Sequence, residues 1–332
     1  MISFPKAKAW FMVFRVLPVL VWAVVATIFG AAISALETDG INWTNLLLVM
    51  GMTALIQGFP THIINEIYDW KSGADQFRKL REKSGGSKVI KAGLTDIDGL
   101  WVMFTVTMIV IFLSAAYAVL VIGWQVLWFI VPGFLCGLFY TLPPFRLAYL
   151  PFAGEWLGGF AGIFFAVTGS YYVQAFRIGR TIILGAFCLG LIYIGIMMLF
   201  HYLDYEGDRR AHPQKRTTIV LLGLQRSKYY VYTCLLAALA LALYCAFTIH
   251  WVFILLALHT SIHLVFQIGC NPQDSASIVG YGRLITYETI AWGLIFAVVI
   301  RLEFLLLFIP IFFGFYAHKK FGKVWKNMTS LS

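Results

Sequence analysis

Residues 99–122 read GLWVMFTVTMIVIFLSAAYAVLVI, twenty-four positions without a charge. At 1.5 Å per residue this stretch makes a helix of about 36 Å, enough to cross the roughly 30 Å hydrocarbon core of a bilayer. Similar runs lie at about 10–36, 45–64, 125–141, 153–173, 181–203, 229–249, 251–267, 284–300 and 302–318. Of the 332 residues, 61% are AVILMFWYC and 12% are charged, where soluble domains run nearer half and a quarter. Mean hydropathy is +0.83. The runs are continuous rather than alternating, which excludes a β-barrel and predicts an all-α polytopic membrane bundle. The first run is long and Trp-rich, so it reads as an anchor rather than a signal peptide. The last contains Pro310 and reads either as a tenth span or as a re-entrant segment.

The net charge of +10 is explained by topology. With the N-terminus in the cytoplasm and alternating spans, twenty-two Lys and Arg residues fall inside and three, Arg177, Arg180 and Arg301, fall outside. The five cysteines show no metal or redox spacing. No soluble domain fits, and nothing points to nucleic acid; the lipid bilayer is the expected surroundings, a cytoplasmic membrane of prokaryotic type. The longest polar stretches, about 65–98 and 204–228, are both cytoplasmic on this topology, and Ser84-Gly85-Gly86-Ser87 predicts a flexible point in the first.

Nine of the 15 acids fall in those two stretches: Glu66, Asp69, Asp75, Glu82, Asp96, Asp98, Asp204, Glu206 and Asp208. Asn65 and Asp69 are i, i+4 and share a helix face, and Asp204 and Asp208 repeat the spacing. A solvated helix end explains acids near an interface but not this repetition, and carboxylates near a membrane usually face a cavity. Hard oxygen ligands so grouped suit Mg²⁺, which binds few carboxylates and completes its shell with water and phosphate oxygens. Basic residues follow each group: Lys88 and Lys91 after the first, Lys215 and Arg216 after the second. Carboxylates that hold Mg²⁺, with cations beside them, make a diphosphate site. The chain has no G-x-x-x-x-G-K-[ST] and so no P-loop.

At these residues the chain resembles the UbiA superfamily of intramembrane prenyltransferases, over about residues 10–300. That family carries Asn-Asp-x-x-Asp with a further Asp downstream, and Asp-x-x-x-Asp in its second half. Here they read Asn65-Glu66-Ile67-Tyr68-Asp69 with Asp75, and Asp204-x-x-x-Asp208. Tyr140-Thr-Leu-Pro-Pro-Phe-Arg146-Leu-Ala-Tyr149 and Gly169-Ser-Tyr171-Tyr172-Val-Gln174 look like the 1,4-dihydroxy-2-naphthoate prenyltransferase branch, which serves menaquinone biosynthesis. The chain departs where Glu66 replaces an Asp and where His201-Tyr202 replaces a pair of Asn.

The resemblance implies one transmembrane domain over 1–332, with nine core helices around a central cavity and 302–318 as an extra C-terminal span. It implies two Mg²⁺ ions held by Asn65, Asp69, Asp75, Asp204 and Asp208, with Asn65, Asp69, Asp204 and Asp208 catalytic. An isoprenyl diphosphate then ionises to an allylic cation, and an aromatic acceptor attacks it to form a C–C bond. Lys88, Lys91, Lys215, Arg216 and Arg146 are the expected diphosphate ligands, although Arg146 equally fits the positive-inside pattern. Tyr68, Tyr140 and Tyr172 are expected to shield the cation, with ordinary packing the alternative for each. Glu155 reads as an acceptor-binding acid or a helix cap, and His62 and His201 as polar contacts or a base. Arg283 and Glu288 read as structural. A terpene cyclase on the same fold and, more remotely, a transporter remain as competing functions.

Overall fold

The computed structural model describes residues 4–76 and 86–322. Among them every regular element is helical. Eight helices are long and apolar enough to cross a membrane: α1 (Ala7–Ser34), α2 (Trp43–Lys71), α3 (Ile97–Ile122), α5 (Gly154–Ala175), α6 (Arg180–Arg210), α7 (Thr218–Thr248), α9 (Ser275–Ile300) and α10 (Leu302–Phe321). Two shorter apolar helices, α4 (Trp124–Phe139) and α8 (Phe253–Gly269), complete the bundle. The ten helices follow the ten apolar runs. Glu82, Ser84, Gly85, the basic residues between 78 and 83, Lys323 and Lys326 lie outside the described residues.

The bundle is built around α6 and α1, whose most apolar windows are 83% and 78% buried. Between segments that are equally apolar in lipid, close approach and polar contacts decide the packing. Gly30 on α1 is such a place: a Cβ there would collide with the Val167 carbonyl of α5. Beside it Ser170 donates to the Thr27 carbonyl at 2.7 Å. Exposed apolar side chains such as Leu120, Phe112, Leu113 and Trp128 are what a lipid-facing surface requires.

Two departures from the sequence expectation shape the site. Asn65, Asp69, Asp204 and Asp208 lie on continuations of the spanning helices rather than beyond their ends. Helix α2 continues past its apolar run to Lys71, and α6 continues to Arg210. Hydropathy marks where a helix leaves the apolar core, whereas backbone hydrogen bonding carries it a further two turns into the polar zone. Helix α1, read as continuous, breaks where Arg15 takes a left-handed conformation (φ 52°).

Candidate functional site: a charged mouth over an apolar cavity

The ends of α2 and α6 meet. The His212 backbone N–H donates to the Ser72 carbonyl at 2.8 Å, tying the segment after α6 to the end of α2. The i, i+4 spacing turns Asn65 and Asp69 to one side, and Asn65 Nδ2 donates to Asp69 Oδ2 at 2.9 Å and to Thr141 Oγ1 at 3.2 Å. Lys215 reaches back from the α6–α7 connection, where its own N–H donates to the Asp208 carbonyl at 3.1 Å. Its Nζ donates to both Asp69 oxygens at 3.1 and 2.9 Å and stands 3.8 Å from Asp208 Oδ1. One ammonium therefore joins a carboxylate of the first motif to one of the second, and all three groups are buried. Burial alone would pull the Lys215 pKa down; the Asp208 and Asp69 carboxylates outweigh it and hold the ammonium well above its ordinary value.

Below this mouth lies a cavity of about 1360 Å³. Asn65, Asp69, Asp204, Lys88 and Lys215 line its polar end, and Phe129, Ile130, Phe134, Phe165 and Ala166 line it further along. Tyr140 and His201 also face it. The Tyr140 hydroxyl lies 3.1 Å from His201 Nε2, and His201 Nδ1 stands 3.5 Å from Glu155 Oε1. Glu155 Oε2 accepts from Thr218 Oγ1 at 2.9 Å. Burial pushes the Tyr140 phenol up, so it is held protonated.

The remaining predicted residues are placed as follows. Asp75 is buried beside Asp69, its N–H donating to the Asp69 carbonyl at 3.3 Å. Glu66 accepts the Ser87 N–H at 2.6 Å. Gly86 and Ser87 thus lie against a buried carboxylate. Lys91 points outward and donates to the Gln76 carbonyl at 2.8 Å, and Arg216 is exposed. Arg146 lies between two rings, 5.7 Å from the Tyr68 centroid and 5.6 Å from that of Tyr149. Tyr68 is thereby covered by Arg146, with Lys71 5.7 Å from its centroid. Tyr172 stacks on Phe129 at 5.1 Å, about 25 Å along α5 from Glu155 at 1.5 Å per residue. Asp96 caps α3 through the Gly99 N–H at 2.8 Å. The sequence reading left out Arg15, Ser87, Thr141 and Thr218. Arg15 lines the cavity; its charge was visible but was absorbed into topology.

Fold and site together define an integral membrane helical bundle with a polar, acid-rich mouth over an apolar chamber. Residues 10–277 match the UbiA prenyltransferase family, and the chain belongs to that family. The fold is similar to a UbiA homologue from Archaeoglobus fulgidus bound to DMAPP and Mg²⁺, at 16% identity and a TM-score of 0.60, covering 87% of this chain and 99% of that one. The same homologue bound to GPP and Mg²⁺ matches with a TM-score of 0.58 at 15% identity, over 87% and 99% of the two chains. A structure described in connection with digeranylgeranylglyceryl phosphate synthase in membranes matches with a TM-score of 0.60 at 15% identity, over 88% and 99%. No curated protein sequence matches the chain.

Proposed function

We propose that this chain transfers a prenyl group from an isoprenyl diphosphate to an aromatic acceptor of the 1,4-dihydroxy-2-naphthoate kind, in menaquinone biosynthesis, with Mg²⁺ at the two acidic motifs. The observation that carries this is the Lys215 bridge between Asp69 and Asp208 at the polar end of an apolar chamber. A cation already stands between the motifs, and the donors around it are the hard oxygens that Mg²⁺ prefers. The residues fit that ion, with Asn65, Asp69, Asp75, Asp204 and Asp208 as its holders; relatives of this fold bind Mg²⁺ with DMAPP or GPP. Bound there, Mg²⁺ supplies positive charge to the leaving diphosphate. Lys88 and Lys215, which line the polar end of the chamber, add positive charge that is in place before the charge develops.

As the C–O bond breaks, its electron pair goes to the diphosphate oxygen and the allylic carbon becomes cationic. The apolar wall keeps water from that carbon. An electron-rich ring carbon donates a pair to it, forming the C–C bond, and the phenolic O–H becomes acidic. The ketone left by its loss regains the aromatic ring by releasing the attacked carbon's own substituent, a proton or, at a carboxylated carbon, carbon dioxide. His201 Nε2, within reach of the Tyr140 hydroxyl, accepts the phenolic proton, and Glu155 stabilises the resulting imidazolium. The positive-inside pattern puts the mouth at the cytoplasmic face. The test is purified protein with Mg²⁺ and prenyl diphosphate, with and without mixed aromatic acceptors, read by mass spectrometry. A prenylated acceptor is expected. Diphosphate release with a cyclised hydrocarbon and no need of acceptor would replace this reading with a terpene cyclase.

A further inference from the structure

A second polar cluster lies away from the acidic motifs, between the middles of α8 and α9. His259 and His263 are i, i+4 on α8, a spacing that puts both imidazoles on one helix face. Both are fully buried. Glu288 faces them from α9 with only 18% of its side chain exposed. His259 Nδ1 is 2.7 Å from Glu288 Oε1, and His263 Nε2 is 2.9 Å from Glu288 Oε2. One ligand atom from each of the three residues lies within 4.8 Å of the others.

We propose that His259, His263 and Glu288 bind a borderline divalent transition metal, zinc foremost, between α8 and α9. Four observations carry this. Two imidazoles and one carboxylate are the protein ligands of three-ligand zinc and non-haem iron sites, and they leave a position for water. The His-x-x-x-His spacing on a helix, with an acid brought in from elsewhere, is how such ligand sets are assembled. Glu288 Oε2 and His263 Nε2 are 2.9 Å apart, yet that oxygen is buried and makes no hydrogen bond. That buried oxygen is left with capacity for a further partner. Finally, Trp292 holds the cluster in advance by stacking on His259 with centroids 4.2 Å apart and planes 8° apart; the Thr289 hydroxyl, 3.1 Å from His263 Nε2, gives up that nitrogen when a metal binds. An ionisable group in mid-span usually has a function. Nitrogen ligands select against Mg²⁺, so this site is chemically distinct from the acidic mouth.

The test is metal analysis of the full purified chain after zinc supply and removal of loose ions with a weak chelator. About one zinc per chain is expected, retained in the Asp69→Asn/Asp208→Asn double variant and lost in His259→Ala and in Glu288→Gln. X-ray absorption on the unaltered chain needs no variant to fold. It should show nitrogen and oxygen at about 2.0–2.1 Å with scattering from two imidazoles. Less than a tenth of an equivalent bound after zinc or iron supply would overturn the proposal and leave a proton shared among the three side chains. Zinc lost with the acidic motifs and kept in His259→Ala would overturn it equally.

Discussion

Lys215 is the residue on which the site turns, because its ammonium stands between Asp69 and Asp208 while all three are buried. Lys215→Met keeps the length of the side chain and removes the charge, leaving two buried carboxylates without the cation between them. Removing one partner of a buried pair costs about 3–5 kcal/mol, so the thermal midpoint of the detergent-solubilised protein should fall. Turnover should fall on the order of 10²–10³-fold, the usual loss when a preorganised donor is deleted. A variant with unchanged turnover would remove Lys215 from the chemistry. His201→Asn makes a different prediction. If His201 takes the phenolic proton, the acceptor-dependent rate should drop about 10²–10⁴-fold. Slow hydrolysis of the prenyl diphosphate should continue, since the acidic motifs are untouched. Equal loss of both rates, measured as phosphate release against prenylated product, would contradict a proton-transfer role.

At the scale of elements, the segment after α2 reaches the mouth because it is latched. Gly86 has φ +43°, and a Cβ there would press into the Glu66 carboxylate and lie 3.0 Å from Asp75 Oδ2. Gly86→Ala therefore adds about 1–2 kcal/mol of backbone strain and opposes the Ser87–Glu66 hydrogen bond. The expected result is a raised KM for the prenyl diphosphate, because Lys88 follows two residues later, with the thermal midpoint little changed. An unaltered KM would show that the latch does not position Lys88. This coupling was not legible in the sequence, where Glu66 looked only like a weakened Asp. Glu66 and Asp69 lie one turn apart on α2 yet serve different partners, Glu66 taking the Ser87 N–H and Asp69 the Lys215 ammonium. The pairings at i, i+4 were legible because helical periodicity alone sets them. The continuation of α2 and α6 into the polar zone was not, since hydropathy reports surroundings rather than backbone conformation. The histidines of α8 were hidden for the opposite reason: two isolated polar residues barely disturb an apolar run, and their acid lies on another helix.

For the molecule as a whole, the ten helices among the described residues leave an apolar chamber, and on the proposed function its length decides which prenyl chains fit. The apolar runs announced the helices, but the chamber depends on which faces meet, and composition is silent on that. Gly162 on α5 lines the chamber, and a Cβ placed there meets nothing within 4 Å. A side chain at Gly162 therefore starts into open space and Gly162→Trp puts an indole into the chamber, whereas Gly169→Trp would drive into Phe129, whose Cβ would lie 2.9 Å from the new Cβ. The chamber's polar end, with Asp69 and Lys215, is unchanged in Gly162→Trp. A short donor such as dimethylallyl diphosphate should then keep its kcat/KM within a few-fold, while long-chain donors should lose on the order of 10–200-fold, the discrimination that loss of apolar fit confers. Product lengths by mass spectrometry would shift downward when mixed donors compete. Equal loss for short and long donors would mean that the prenyl tail does not run past Gly162, and the tail would have to leave the chamber sideways into lipid.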